Sequence, residues 1–262
     1  EAIAEARGLS WPPAGDCNSP PTHSAFQSPE GLMTFLGRLR ELSGGKPVGF
    51  KLCMGKPEEF ALLVRAMLST GVVPDFITID GAEGGTGAAP PEFSNSVGMP
   101  LAEGLSTAHA LLLGAGIRDK VKIIAAGKVL TGFSIVRLLA LGADTCNSAR
   151  AMLFALGCIQ SLKCNTNTCP TGITTQDPRL MKGLHVPTKA ERVASYQRKT
   201  VDVALEITGA LGYESAAEIT GGDVVRRVRS KGLRNFNEVK KKKKTPTTDA
   251  HPNNLHSHLR TL

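Results

Sequence analysis

Aromatic residues, long apolar runs and paired cysteine patterns are all scarce in this chain of 262 residues. Aromatics make up 5% of it, which disfavours a sandwich built on aromatic strands, whereas 28 Gly and 16 Pro suit an α/β scaffold with tight turns. No apolar run is long enough to span a membrane, and no signal peptide is recognisable. The chain opens at Glu1 without an initiator Met, so we expect a piece of a longer protein.

Much of the formal net charge of +8 lies near the carboxyl terminus, where lysines occupy 240–244. We expect 236–262 to be a basic, disordered tail, with a weak contact to a polyanion or an anionic membrane as the alternative. A nucleic-acid protein would spread its basic residues along a binding face, so no nucleic-acid partner is predicted. Six cysteines do not suggest a disulfide scaffold, which favours a reducing, cytoplasmic location.

Short apolar strands alternate with helical segments through the middle of the chain. Hydrophobic spacing and Gly stops predict four strand–loop–helix units, whose strands are 48–53, 75–80, 121–126 and 143–148. Short connections between such units imply parallel strands with crossover helices. The sequence therefore predicts either half of a (β/α)8 barrel or a small doubly wound sheet.

The remaining segments complete the predicted organisation. Residues 1–28 are Pro- and Ser-rich and are expected to form an irregular loop. The main domain is predicted over 29–235, and it includes a long helix at 189–210 and one or two short helices within 215–229.

Polar and glycine residues follow each predicted strand. Gly127 and Lys128, and then Ala149 and Arg150, stand where barrel enzymes bind phosphate, and the two cations would add charge-assisted hydrogen bonds. Ordinary solvated cations are the alternative. Lys51 in the first strand suits the N1/O2 edge of a flavin or an anionic substrate, unless it snorkels out of the barrel. Because parallel strands end at one edge, we expect these groups to form one site.

The loop Asp80–Pro90 has four glycines within seven residues. Glycine allows backbone N–H groups to approach an anion or a planar ring closely, so the loop either covers a cofactor or is a flexible turn. It matches neither a Walker loop nor the dinucleotide fingerprint.

Three cysteines lie in one polar loop, 158–178. Cys158 and Cys164 are separated by five residues, and Cys164 and Cys169 by four, whereas structural zinc usually takes four ligands with two-residue spacings. Three thiolates match a 3Fe–4S cluster, and Cys-Pro is a common end of ferredoxin-type runs. Three unligated thiols are the alternative, and Cys146 is a candidate fourth ligand that leaves the cluster type open.

Asp80–Pro90, taken together with the cysteine motif over 157–178, resembles the FMN-binding synthase domain of glutamate synthase, and most closely its short stand-alone members. Ser19-Pro20-Pro21 followed by His23 resembles the same family, and the resemblance covers about 19–230. It implies a (β/α)8 barrel that holds FMN and a 3Fe–4S cluster. It also implies reductive addition of ammonia to 2-oxoglutarate, through 2-iminoglutarate, to give glutamate.

The resemblance also implies roles for individual residues. Cys158, Cys164 and Cys169 match the cluster ligands, and Lys51 matches the strand-five lysine near flavin and 2-oxoglutarate. The loop beside the flavin is matched by Gly84, Gly85, Thr86 and Gly87.

The phosphate loops match less closely. Gly127 and the 149–150 turn fall on the family's FMN-phosphate loops. The family has Asp-Gly-Gly where this chain has Ala126–Lys128, and Gly-Thr where it has Ala149–Arg150. We therefore expect phosphate binding with a different geometry.

The family's first four βα units and its Cys-led glutaminase domain have no counterpart in this sequence, which predicts a fragment. Ammonia, free or derived from glutamine, would come from outside, and the electron donor is unspecified. An FMN barrel oxidoreductase with another substrate and an inactive truncated remnant are the alternatives.

Overall fold

The computed structural model describes residues 2–12, 22–83, 95–228 and 232–237. Two 3-10 turns, Arg118–Lys120 and Ala216–Glu218, accompany the regular elements. Within the described ranges no helix combines the length and apolarity needed to cross a membrane. The elements in chain order are α1 (Ala2–Ala6), α2 (Pro29–Leu42), β1 (Gly49–Cys53), α3 (Pro57–Thr70), β2 (Phe76–Asp80), α4 (Leu101–Gly114), β3 (Lys122–Ala126), α5 (Gly132–Ala140), β4 (Thr145–Asn147), α6 (Arg150–Leu156), α7 (Pro178–Met181), α8 (Val186–Ala210), β5 (Val225–Val228) and β6 (Gly232–Asn235).

Strands β1 to β4 form one parallel sheet in the order β1-β2-β3-β4. A doubly wound sheet reverses its strand order at a switch point, whereas a (β/α)8 barrel keeps sequence order. The chain is therefore a partial barrel of four βα units, as predicted, and the sheet does not close within the described ranges.

The two faces of this sheet differ sharply in polarity. Alternate side chains on β2 and β3, including Ile77, Ile79 and Ile123, are fully buried in the core that the helices cover. The opposite face is the inner face of the partial barrel. Two in-register rows of residues cross it, Lys51–Thr78–Ile124–Thr145 and Cys53–Asp80–Ala126–Asn147.

The predicted elements are present, with strands one to three residues shorter than expected. Two expectations were wrong. Part of 1–28 is helical, because α1 occupies Ala2–Ala6. Beyond the single 3-10 turn, the region predicted as short helices instead contains β5, which pairs antiparallel with β6. Such pairing depends on a partner strand that local helical periodicity does not reveal. Residues 13–21 of the expected loop and 238–262 of the expected tail lie outside the described residues, whereas Phe236, the first residue of that tail, is buried in the core.

Arginine–aspartate pairs fasten neighbouring strands at their amino ends. Asp75, just before β2, accepts hydrogen bonds from the Val48 N–H at 2.7 Å and from Arg40 Nη2 at 2.9 Å. Asp144, just before β4, accepts from the Ile123 N–H at 2.7 Å and from Arg118 at 2.7 Å. The same arrangement thus joins β1 to β2 and β3 to β4, at the edge opposite the predicted site.

These contacts predict a pH dependence of stability. Burial acts to raise the pKa of the Asp75 carboxyl, but hydrogen bonds from Val48 and Arg40 outweigh it and hold that pKa below its ordinary value. The stabilisation should be complete above the unfolded pKa of about 4, and should be lost as the pH falls through the lower folded pKa. Asp75→Asn should therefore reduce the fall of the unfolding free energy with decreasing pH in the acid range. Urea titration at several pH values measures this.

The exposed Asp119 offers a matched control, since Asp119→Asn removes a carboxylate of the same kind without touching this contact. Equal acid limbs in the native chain and Asp75→Asn would contradict the assignment.

Candidate functional site

Lys51 and Asp80 meet on the open inner face, near the carboxyl ends of their strands. Asp80 lies two residues beyond Thr78, which is the register partner of Lys51, so both side chains are on the same face of the sheet. Lys51 Nζ is 2.6 Å from Asp80 Oδ2. The Lys51 side chain is 58% exposed and that of Asp80 is 29% exposed. The Lys51 side chain is therefore exposed, as a snorkelling lysine would be, but it lies on the inner face beside the predicted site.

Cys53 stands beside this pair at the end of β1. Its register partner is Asp80, and Gly98 lies so close that a Cβ there would be 2.5 Å from the Cys53 sulfur. Gly98 has φ of +103°, so glycine is required by both conformation and space. Burial and, next, the Asp80 carboxylate raise the pKa of the Cys53 thiol, which leaves it protonated near neutral pH.

The start of the Gly-rich loop is tied firmly to the sheet edge. The Gly81 N–H donates to the Ala126 carbonyl at 2.8 Å, and the Glu83 carboxylate accepts from the Leu101 N–H at 2.9 Å. Glu83 thereby caps the amino end of α4, where a negative charge is favourable. A Cβ on Gly81 would lie 2.6 Å from that of Leu101, so no side chain fits. The predicted cofactor residues Gly84, Gly85, Thr86 and Gly87 lie outside the described residues.

The predicted phosphate loops are adjacent, because they follow the paired strands β3 and β4. The Ser148 hydroxyl ties them together by donating to the Val129 carbonyl at 2.8 Å. Lys128, at φ +47°, is exposed and donates to Asn95 Oδ1 at 2.8 Å, while Arg150 is exposed at the first position of α6.

FMN phosphate fits these loops by their chemistry. Ala149, the residue that caps α6, provides no side-chain acceptor for the helix N–H groups. Gly127 lies at φ +142°, and a Cβ on it would stand 3.3 Å from the Gly81 nitrogen. Backbone N–H groups without a side-chain acceptor, beside small residues and two cations, suit an anion.

The three loop cysteines have different surroundings. Cys169 is buried and its sulfur lies 3.3 Å from the Thr171 hydroxyl, whereas Cys164 is exposed and Cys158 is half-buried. Hydrogen bonds from the Thr171 hydroxyl and the Thr174 N–H lower the pKa of the Cys169 thiol to about 6. A polar recess of about 420 Å³ is lined by Cys164, but not by Cys158 or Cys169.

The three cysteine sulfurs do not converge in the described arrangement of the loop. Across the described parts of the chain, no three His, Cys, Asp or Glu side chains group closely enough to hold a metal ion. The loop is instead closed by its own polar groups, since Asn167 Oδ1 accepts from the Gln176 N–H at 2.7 Å and its carbonyl accepts from Thr175. The expected gathering of Cys158, Cys164 and Cys169 is therefore not seen.

Cys146 does not support the role of a fourth ligand. It lies on the helix-facing side of β4, where it packs against the apolar core, and burial raises the pKa of its thiol to about 11. The position of Cys146 at the end of a strand predicts that it lies near the cysteine loop. However, side chains alternate between the two faces along β4, and this alternation turns the Cys146 sulfur away from the inner face.

The sequence predicts no individual role for two residues of the site. Asp80 falls in the predicted site as the first residue of the Gly-rich loop, and Asn95 belongs to no motif. The signal for Asp80 was its place at the end of a buried strand next to the strand that carries Lys51. Asn95 reaches Lys128 across 33 residues of sequence, and no local pattern indicates that contact.

Comparison with known sequences gives consistent relatives. Residues 1–214 match the family model described as a conserved region in glutamate synthase. The glutamate synthase large subunit-like protein YerD of Bacillus subtilis is 40% identical over 91% of this chain and 45% of its own length. The archaeal-type glutamate synthase [NADPH] of Thermotoga maritima is 33% identical over 87% of this chain and 44% of its own. The chain thus spans less than half the length of these curated relatives.

Solved structures resemble the chain more remotely. The recombinant flavin-binding domain of baker's yeast flavocytochrome b2 is 14% identical and covers 95% of this chain and 49% of its own, with a TM-score of 0.46. A mandelate oxidase structure covers 84% of this chain and 50% of its own at 14% identity, with a TM-score of 0.44. At these scores the likeness carries no argument about the site.

Proposed function

The chain belongs to the glutamate synthase family, and we propose that it is part of an FMN-dependent oxidoreductase that aminates 2-oxoglutarate reductively to glutamate. The observation that carries this proposal is the match to the family's conserved region over 1–214, a range that contains β1 to β4 and the ends of all four strands. Ammonia, free or derived from glutamine, and an electron-donor protein or reductase would be its partners. The free cysteines suit a cytoplasmic location.

FMN would be held at the carboxyl edge of the sheet. In this proposal Gly127, Lys128, Ala149 and Arg150 bind its phosphate, and Gly84–Gly87 lie beside its ring. The bound flavin supplies hydride transfer, which no side chain can supply.

Lys51 is the proposed catalytic residue. Its ammonium stands exposed on the inner face, where it would donate hydrogen bonds to the flavin edge or to a carboxylate of 2-oxoglutarate. The barrel wall would fix its position and would help to exclude water from the reacting imine.

The cysteine loop is proposed to hold a 3Fe–4S cluster through Cys158, Cys164 and Cys169. Support comes from the spacing of the three thiols in the sequence. Ligation would require the loop to bring Cys158 and Cys164 towards Cys169, and no part of the proposed reaction at Lys51 depends on it.

Flavin binding tests the proposal directly. The assembled enzyme that contains this chain should show visible flavin absorption when purified, and should form glutamate from 2-oxoglutarate and ammonia with a reduced donor. Replacing both Lys128 and Arg150 with Gln should weaken FMN binding by about a hundredfold or more, since each charged hydrogen bond contributes at least about 1.5 kcal/mol. Riboflavin binding, measured by fluorescence quenching, should change little because riboflavin lacks the phosphate.

Lys122→Gln is the matched control, since Lys122 is exposed at the amino end of β3. An assembled, folded enzyme without affinity for FMN would overturn the proposal. If the double variant lost affinity for FMN and riboflavin equally, the phosphate would bind at a place other than Lys128 and Arg150.

Iron analysis tests the cluster separately. After anaerobic reconstitution with iron and sulfide, the native chain should retain about three iron atoms per chain, the stoichiometry of a three-iron centre bound by three thiolates. Cys164→Ser should reduce the iron content and alter the electron paramagnetic resonance spectrum, whereas Cys146→Ser should leave both unchanged because its thiol faces the core. Retention of iron by the Cys164 variant would contradict the proposed ligand set.

A further inference from the structure

A carboxylate occupies an unexpected place in the proposed site. A lysine that binds an anionic ligand needs no acidic neighbour, and a negative charge beside it weakens its attraction for that ligand. Yet the ion pair between Lys51 and Asp80 is the shortest of those recorded among the described residues, at 2.6 Å. This contact lies on the inner face, where the two strand ends meet.

Stability does not account for this pair. The Lys51 side chain is more than half exposed, and exposed ion pairs contribute only about 0–1 kcal/mol. The amino ends of the strands show a different design, because Asp75 and Asp144 there also accept backbone N–H groups of the neighbouring strand. No such backbone bond is recorded for Asp80 in the described part of the chain, and its contact with Lys51 is between side chains alone.

We propose that Asp80 is a positioning residue, which holds the Lys51 ammonium at one place above the inner face of the sheet. This inference rests on the proposed function of Lys51. A lysine side chain has four rotatable bonds and high rotamer entropy, so an unpaired ammonium would sample many positions. The carboxylate at the next strand end restricts it before any ligand arrives, and this lowers the ordering cost of binding.

Within the described residues, the surroundings leave the Asp80 carboxylate free for this role. Cys53 is its register partner, and the Asp80 carboxylate lies close enough to contribute to the raised pKa of that thiol. Glu83, the other nearby carboxylate, is engaged by the Leu101 N–H. Thr78, which lies opposite Lys51 in the register, is buried and uncharged. Asp80 is thus the acidic group that is in direct contact with the ammonium.

Competitive labelling of lysines in the full chain tests the proposal without any cofactor. Acetic anhydride at a fixed neutral pH, with peptide mass spectrometry, gives the reactivity of Lys51 relative to Lys122, whose nearest recorded carboxylate oxygen is 3.6 Å away. In Asp80→Asn this ratio should rise about threefold, because the close contact with the carboxylate, which restrains and shields the Lys51 nitrogen, is then lost. Asp202→Asn, on the exposed side of α8, should leave the ratio unchanged.

Asp80→Glu keeps the charge and should restore most of the native ratio, which a loss of folding would not do. An unchanged ratio in Asp80→Asn would overturn the proposal, and so would a ratio in Asp80→Glu as high as that in Asp80→Asn. If Asp80→Asn does not raise the reactivity of Lys51, the positioning role alone is refuted. If the native enzyme does not form glutamate, the proposed function alone is refuted.

Discussion

Parallel hydrogen bonding between successive strands is the constraint on which the site depends. Because β1 to β4 pair in sequence order, the residues that follow each strand are delivered to one edge of the sheet. The register then decides which side chains share a level there, and it aligns Cys53, Asp80, Ala126 and Asn147 in one row. The opposite edge is fastened by arginine–aspartate contacts that bond to backbone. The stabilising contacts and the candidate site thus lie at opposite ends of the same strands, which is the usual arrangement in barrel enzymes.

The inner face is open because the sheet has two ends. In a closed barrel every strand has two neighbours, whereas β1 and β4 each have one within the described ranges. The curated relatives are more than twice as long as the region that they share with this chain. Their remaining length is enough for the other half of a barrel. The exposure of Lys51 on the inner face follows from this opening, and a completed barrel would turn the same surface into a lined cavity.

The fold could largely be predicted from local patterns, since apolar runs with Gly stops recur four times and each marks a strand or a helix. Contacts that depend on pairing could not be predicted in this way. The bond between Lys51 and Asp80 requires the register of β1 against β2, and the orientation of Cys146 requires the phase of β4. Strand β5 forms because β6 pairs with it, which no helical or alternating pattern in 215–229 indicates. The three cysteines lie in one irregular loop, but the positions of their sulfurs depend on Thr and Asn hydrogen bonds within it.

Hydrogen exchange with and without FMN tests the central claim, that the carboxyl edge of the sheet is the ligand site. The account predicts that FMN slows exchange of the backbone amides over 127–131 and 149–153, while amides near Asp75 and Asp144 at the opposite edge are unaffected. Slowed exchange at the amino edge, or at neither edge despite saturating FMN, would contradict it.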